Sequence, residues 1–373
     1  LEAEKLSHLP QIEIEKLAIV QSDTINTENT YSGFKLFRQA EKSLKPSTIN
    51  TISNKEDMIS WFSYVNSVEK KVPALGCYEI ESIHITSHGL LFNGKEHVRE
   101  VSHIADVASL DAENIVADKP MSKKTCKNPG VSIIGPGYKV YGHWLVDFIP
   151  RVKIAQALYG HDLGGALIPL PTDTPKWALN LLSVVAGISS ENIVFYDMQK
   201  ENIFFSKVIV PTYAHASYHF HPAMSGFYPR PAFHKPFRKI CITRKNYETE
   251  TSGVLKKLVG RDLFEKYAIS RGYELFAPED FTVREQISIF REAGKIVGEY
   301  GSALHNALFS NAGVTIGMIR CPNDVQLRIS ALRQQPVVLL LPENEWIADS
   351  GAQTYDLSQN SIERFFDEME MSR

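Results

Sequence analysis

The 373-residue chain is short of several things, and each shortage narrows the reading. It has four cysteines, Cys77, Cys126, Cys241 and Cys321, spread far apart. That excludes a disulfide-built scaffold and offers no paired spacing for a zinc or iron–sulfur site. No Asn-x-Ser/Thr sequon occurs, which points away from a secretory lumen. No apolar run nears the roughly 20 residues needed to cross a bilayer. The longest, residues 337–341, suits one buried strand. A surplus of charge is missing too: the net charge is −3, so no basic field exists for nucleic acid. Neither a Gly-x-Gly-x-x-Gly fingerprint nor a P-loop lies at any strand-to-helix turn. These absences leave a cytoplasmic protein as the expectation. The first residue is Leu1 rather than Met, so the lack of a signal peptide carries little weight.

What is present is a globular composition, 43% hydrophobic and 22% charged, in a chain long enough for two domains. Residues 1–70 are rich in Asn, Thr and Ser and show no sustained period, so an irregular N-terminal part is expected. Strands are predicted at 80–85 and 89–94, with a turn at Asn93-Gly94, and again at 131–134, 166–170, 192–196 and 207–210. A short helix carrying His143, Asp147 and Arg151 and another over 176–186 are predicted, which makes 71–225 an α/β domain with a parallel sheet. Four prolines between 222 and 236 mark a boundary. Residues 235–350 then alternate strand and helix, with strands at 239–243, 273–276, 295–298, 314–319 and 336–341. A helix is predicted over 254–271, and Thr282 with Glu285 forms a capping box for the next. This is a doubly wound unit whose ligand crevice should lie at the strand C-termini. Residues 351–373 end in a helix with Ile362, Phe365, Phe366 and Met369 on one face.

Two stretches can carry chemistry. In the first half, His143, Asp147 and Arg151 recur at steps of four, which places an imidazole, a carboxylate and a guanidinium on one helical face. Asp147 is the candidate base, with His143 as partner or substitute and Arg151 holding the carboxylate ionised. Spacing alone equally describes a surface ion pair beside a loop histidine, with Pro150 ending or kinking the helix. In the second half, Arg244 and Lys245 follow a strand, and Gly301-Ser302 opens a helix whose free amides favour an anion. Together they suit a diphosphate without a metal, although Arg244 alone also reads as a surface charge. His215 and His219 are four apart, as helix zinc ligands can be, but no Glu lies between them and Pro222 follows. The loop with His219 and His221 is read instead as one that touches a sugar.

With both halves in view, the sequence resembles glycosyltransferase family 61. Residues 141–151 are similar to its His-Trp-Leu-x-Asp-x-x-Pro-Arg block, and residues 242–245 to its Ser-Arg-Arg block. Residues 286–309 are similar to the stretch ending in Gly-x-His-Gly-Ala-Gly-Leu-x-Asn, except that Tyr300 stands for the histidine and Ala303 for a glycine. The resemblance covers roughly 131–319. It implies a GT-B architecture of two Rossmann-like domains facing a cleft. It also implies an inverting hexosyl- or pentosyltransferase of the kind used in bacterial surface polysaccharide synthesis (capsule or lipopolysaccharide). Asp147 and His143 would be catalytic. Arg244, Lys245, Tyr300, Gly301, Ser302, His305 and Asn306 would bind the nucleotide-sugar donor, with His305 supplying the imidazole that Tyr300 lacks. Arg151, His219 and His221 would bind the glycan acceptor. No cofactor or metal is expected; the partners are donor and acceptor, with no nucleic acid, at the inner face of the membrane or in an assembly complex. The alternative is a non-catalytic carbohydrate-binding or assembly module on the same fold. A nicotinamide-dependent oxidoreductase is disfavoured by the missing glycine fingerprint.

Overall fold

The computed structural model describes residues 11–12, 34–45, 49–53, 69–86, 89–93, 96–98, 122–135, 137–228, 236–244, 256–321, 324–349 and 351–372. Lys245, Gly94 and two of the predicted boundary prolines, Pro229 and Pro231, lie outside the described residues. The protein is α/β, with several sheets, some parallel. It gathers into two compact units: Leu1–Ala40 with Pro73–Ala214, and Glu41–Val72 with His215–Arg373.

The first unit is built on two long strands, Leu75–Ile85 and Glu201–Pro211, paired antiparallel over their length. Phe34–Arg38 and Leu91–Asn93 extend the sheet antiparallel beside Leu75–Ile85. Ser122–Cys126 and Gly130–Val131 run parallel to Glu201–Pro211. A separate parallel pair joins Ile168–Pro171 to Ile193–Tyr196. The main sheet is therefore mixed, not the parallel sheet that alternating strands and helices predicted. The reason lies in its open face. Both long strands alternate buried with partly exposed positions, a pattern that suits antiparallel pairing with one solvated side. Glu79 on that side is ion-paired to Lys35 at 2.6 Å and to Lys207 at 2.5 Å. Such polar positions interrupt the apolar runs, so the strands read as shorter than they are.

The second unit carries a six-stranded, all-parallel sheet. Its order is Glu274–Phe276, Arg238–Ile242, Ala293–Glu299, Thr315–Ile319, Val337–Leu340, Ile49–Ile52. The last strand comes from the N-terminal part, which was expected to be irregular. Chain order reverses between Arg238–Ile242 and Ala293–Glu299, because Glu274–Phe276 is laid on the outer side first. Such a switch point opens a crevice at the strand C-termini. The helix Val283–Glu292 begins at the predicted capping box, with Thr282 and Glu285 serving each other's backbone. The closing helix Gln359–Met371 buries Ile362, Phe365, Phe366 and Met369, as its spacing predicts. Gly317 makes that packing possible, since a Cβ there would come within 2.7 Å of the Phe365 ring.

One predicted helix is wrong at its start. Residues 256–259 form the strand Lys256–Val259, paired parallel with Gln353–Asp356, and the helix is only Arg261–Ser270. Gly260 adopts φ 76° between them, a left-handed turn that a continuous helix excludes. No described helix is long and apolar enough to cross a membrane.

Candidate active-site residues in the two units

In the first unit, the glycine-punctuated loop turns at Gly137, where φ is 82°. A Cβ on this residue would lie 2.6 Å from the His143 ring, so glycine lets the imidazole rest against the turn. The helix that follows is continuous in three parts: an α turn Tyr141–His143, a π segment Trp144–Phe148, and an α segment Ile149–Tyr159. The π segment accommodates Pro150, which donates no hydrogen bond and would crowd the carbonyl four residues back in a regular helix. The proline therefore widens the helix rather than ending it. Trp144 pins the loop to the helix by donating Nε1–H to the Tyr138 carbonyl at 2.6 Å.

On this helix His143 Nδ1 lies 2.5 Å from Asp147 Oδ2. Asp147 is fully buried, whereas the His143 side chain is 23% exposed. With Asp147 ionised the carboxylate can only accept, and in that state Nδ1 carries the shared proton and Nε2 is the ring's acceptor. A buried acid orienting a more exposed imidazole is the arrangement that turns histidine into a base. Of the two side chains, only His143 has a surface through which a third group could meet it, and Asp147 lies behind it.

Arg151, the third residue of the series, turns inward. Its Nε donates to the Pro211 carbonyl at 2.9 Å and its Nη1 to the Ile133 carbonyl at 2.8 Å. Its guanidinium lies 4.7 Å from the centre of the Tyr213 ring. Burial pushes its pKa down, and the neighbouring Tyr213 and Asp147 push it back up. Arg151 thus ties two strand ends to the helix and lends positive charge to Asp147. It presents no surface to a ligand, being 1% exposed.

In the second unit, three adjacent strand ends meet at the switch point. Arg244 follows Arg238–Ile242, Tyr300 and Gly301 follow Ala293–Glu299, and Arg320 follows Thr315–Ile319. A Cβ on Gly301 would stand 3.7 Å from Arg244 Nη1, which puts the guanidinium directly over this turn. The predicted helix opening at Ser302 is a six-residue 3₁₀ segment, Leu304–Phe309. Its turns are closed by Leu304 N donating to Gly301 O, His305 N to Ser302 O and Asn306 N to Ala303 O. A segment this short carries little helix dipole, and the charged groups at this turn are side chains.

His305 and Asn306 face the interior of the unit. His305 Nδ1 is 2.8 Å from Gln326 Oε1, and Asn306 Nδ2 donates to Gln286 Oε1 at 3.0 Å. Both are buried and couple the 3₁₀ segment to two neighbouring helices. Glu299, beneath the turn, is ion-paired to Arg261 and accepts from the Tyr355 hydroxyl. The Tyr300 ring is overlain by Lys256 Nζ at 5.5 Å. Lys256 escaped the sequence reading because it was assigned to a helix. Arg320 escaped it because a single arginine after a strand has no local signature.

His219 and His221 also lie in the second unit. His219 Nδ1 is 3.2 Å from Ser43 Oγ, and His221 Nδ1 accepts from the Ala223 amide at 3.1 Å. Burial, assisted by Arg328 and Lys70, pushes the His219 pKa down from 6.5 to about 4. The folded protein therefore holds it neutral while the unfolded chain binds a proton between those values. Stability from this group is complete above about pH 6.5 and is lost as pH falls toward 4. Urea midpoints at pH 7 and pH 5 should differ less in His219→Gln than in the parent. An unchanged difference would remove His219 as the source.

No group of three or more His, Cys, Asp or Glu placed to hold a metal occurs among the described residues. Residues 141–317 match the family model described as Glycosyltransferase 61. The matched span includes His143, Asp147 and Arg151 at one end and Arg244, Tyr300, Gly301 and Ser302 toward the other, and it supports the resemblance drawn from the sequence. A comparison with curated proteins gives no match.

Proposed function

We propose that this chain is an inverting glycosyltransferase that moves a hexose or pentose from a nucleotide-sugar to a hydroxyl of a glycan acceptor. The observation that carries the reading is the family match over 141–317, which contains both the His143–Asp147 pair and the Arg244–Gly301 turn. In this reading the second unit binds the donor. Its parallel sheet and switch point are what nucleotide-binding units of the GT-B type use. The first unit supplies the base.

His143 Nε2 takes the proton of the acceptor hydroxyl, and Asp147 stabilises the imidazolium that results. The acceptor oxygen forms a bond to the anomeric carbon while the bond from that carbon to the donor phosphate oxygen breaks. Arg244 offsets the charge that builds on the departing nucleoside diphosphate, so that protein cations serve where a metal could. A role in bacterial surface polysaccharide synthesis at the inner face of the membrane is part of the same proposal.

A thermal-shift panel of UDP-, GDP-, CMP- and TDP-sugars tests the donor half. At least one sugar nucleotide should raise the melting temperature by an amount that grows with its concentration. A panel with no shift would sink the donor reading and favour a module without turnover.

A further inference from the structure

We infer that the donor's diphosphate is held by a cation pair the sequence motifs do not contain, Lys256 and Arg320, acting beside Arg244 at the sheet switch point. The inference rests on the donor reading of the same crevice and identifies the groups that grip the leaving phosphates.

Arg320 is the first sign. It follows the strand Thr315–Ile319 with φ 62°, a left-handed conformation that is costly for a residue with a Cβ. A position like this persists when the surroundings fix it. Its side chain is 90% buried by the complement of its 10% exposure. Nε donates to Glu345 Oε2 at 2.9 Å and Nη2 to Gln353 Oε1 at 3.1 Å, while the plane lies 5.4 Å from the Tyr355 ring centre. The remaining nitrogen, Nη1, is buried without a hydrogen-bond partner. A buried guanidinium N–H with nothing to donate to costs free energy, and an anion oxygen would relieve that cost.

Lys256 is the second sign, and it is independent of the first. It starts the strand Lys256–Val259 and is partly buried. Its ammonium overlies Tyr300, and it makes no ion pair or hydrogen bond among the described residues. Burial disfavours its charge, and the nearby Arg320 and Arg244 disfavour it further, against a single opposing influence from Glu299. That carboxylate is already engaged by Arg261 and by the Tyr355 hydroxyl.

A protein rarely crowds cations of this kind unless an anion completes the set. Arg261 is matched by Glu299, with buried Glu265 nearby, and Arg320 by the more exposed Glu345, whereas Lys256 beside them has no ion pair of its own among the described residues. The Lys256 ammonium and the orphaned Arg320 Nη1 suit an anionic group spanning both, which is the shape and charge of a diphosphate. The 3₁₀ segment is only six residues long and carries little dipole, so these side chains carry the recognition. Lys256 and Arg320 thereby become phosphate ligands, whereas Glu299 with Tyr355 and Arg261 forms the buried floor that fixes their geometry.

The test uses inorganic pyrophosphate and UDP as probes, titrated calorimetrically against the full chain. Lys256→Met should weaken both at least tenfold, and Lys256→Arg should restore most of that loss. Lys257→Met, on the exposed neighbouring position, should leave both affinities unchanged. Arg320→Gln should weaken both as Lys256→Met does, with its fold checked by the unliganded melting temperature. If the parent binds either probe and Lys256→Met binds it equally well, the inference falls while the donor reading stands. If the parent binds neither pyrophosphate, UDP nor any sugar nucleotide, both fall.

Discussion

Replacing His143 by glutamine lowers the rate of sugar transfer by about two to four orders of magnitude, with little change in stability. Glutamine can still donate one hydrogen bond toward the Asp147 carboxylate, so the 2.5 Å contact has a substitute. What it cannot do is take a proton from an attacking hydroxyl. Asp147→Asn should fall almost as far for a different reason. The amide does not hold the Nδ1 proton as a carboxylate does, so the ring loses its tautomer and the stabilisation of its charged form. The two variants separate the possible roles. If His143→Gln keeps its rate and only Asp147→Asn loses it, the carboxylate itself is the base. Burial argues against that result: Asp147 is 0% exposed and cannot meet a hydroxyl without the helix opening, whereas His143 is 23% exposed. The readout is initial transfer rate over a pH series, where the parent's acid limb should vanish in His143→Gln.

The sequence shows the His143–Asp147 contact because its physics is local. Two residues four apart on a helix meet whatever else the chain does. The same holds for the capping box at Thr282 and for the apolar face of the closing helix. The parallel sheet of the second unit is legible for a related reason: its strands are buried on both faces and read as plain apolar runs. What the sequence hides depends on partners far along the chain. Lys256–Val259 is a strand only because Gln353–Asp356 lies beside it. Its residues otherwise continue the helical pattern of Phe264 and Ala268. Ile49–Ile52 joins the sheet through Val337–Leu340, nearly three hundred residues away. The first unit's sheet is mixed because two half-polar strands find each other across that unit. Arg320 gains its meaning from an orphaned nitrogen that no local pattern records. The exposure that distinguishes His143 from Asp147 is likewise a property of packing, which the spacing does not record.

Arg151→Met should destabilise the protein by about 3–5 kcal/mol, a large share of the roughly 5–15 kcal/mol that holds a typical domain. Methionine fills much of the volume but donates nothing. The Pro211 and Ile133 carbonyls, each now served by a charged donor at 2.9 and 2.8 Å, would be left buried without it. Asp147 would lose the cation that helps keep it ionised in a fully buried site. Lysine should rescue little, because a single ammonium cannot reproduce two planar N–H directions and the stacking on Tyr213. Denaturant unfolding of Arg151→Met and Arg151→Lys, read beside transfer rates, separates structure from chemistry. A role limited to bracing predicts that the residual folded enzyme transfers sugar normally. The proximity of Arg151 to Asp147 predicts more: a fully buried carboxyl without its cation is more readily protonated, and a neutral acid cannot stabilise the His143 imidazolium, so the folded fraction should also transfer more slowly. A variant of near-parent stability would overturn the clamp, because its two carbonyls would then have found other donors.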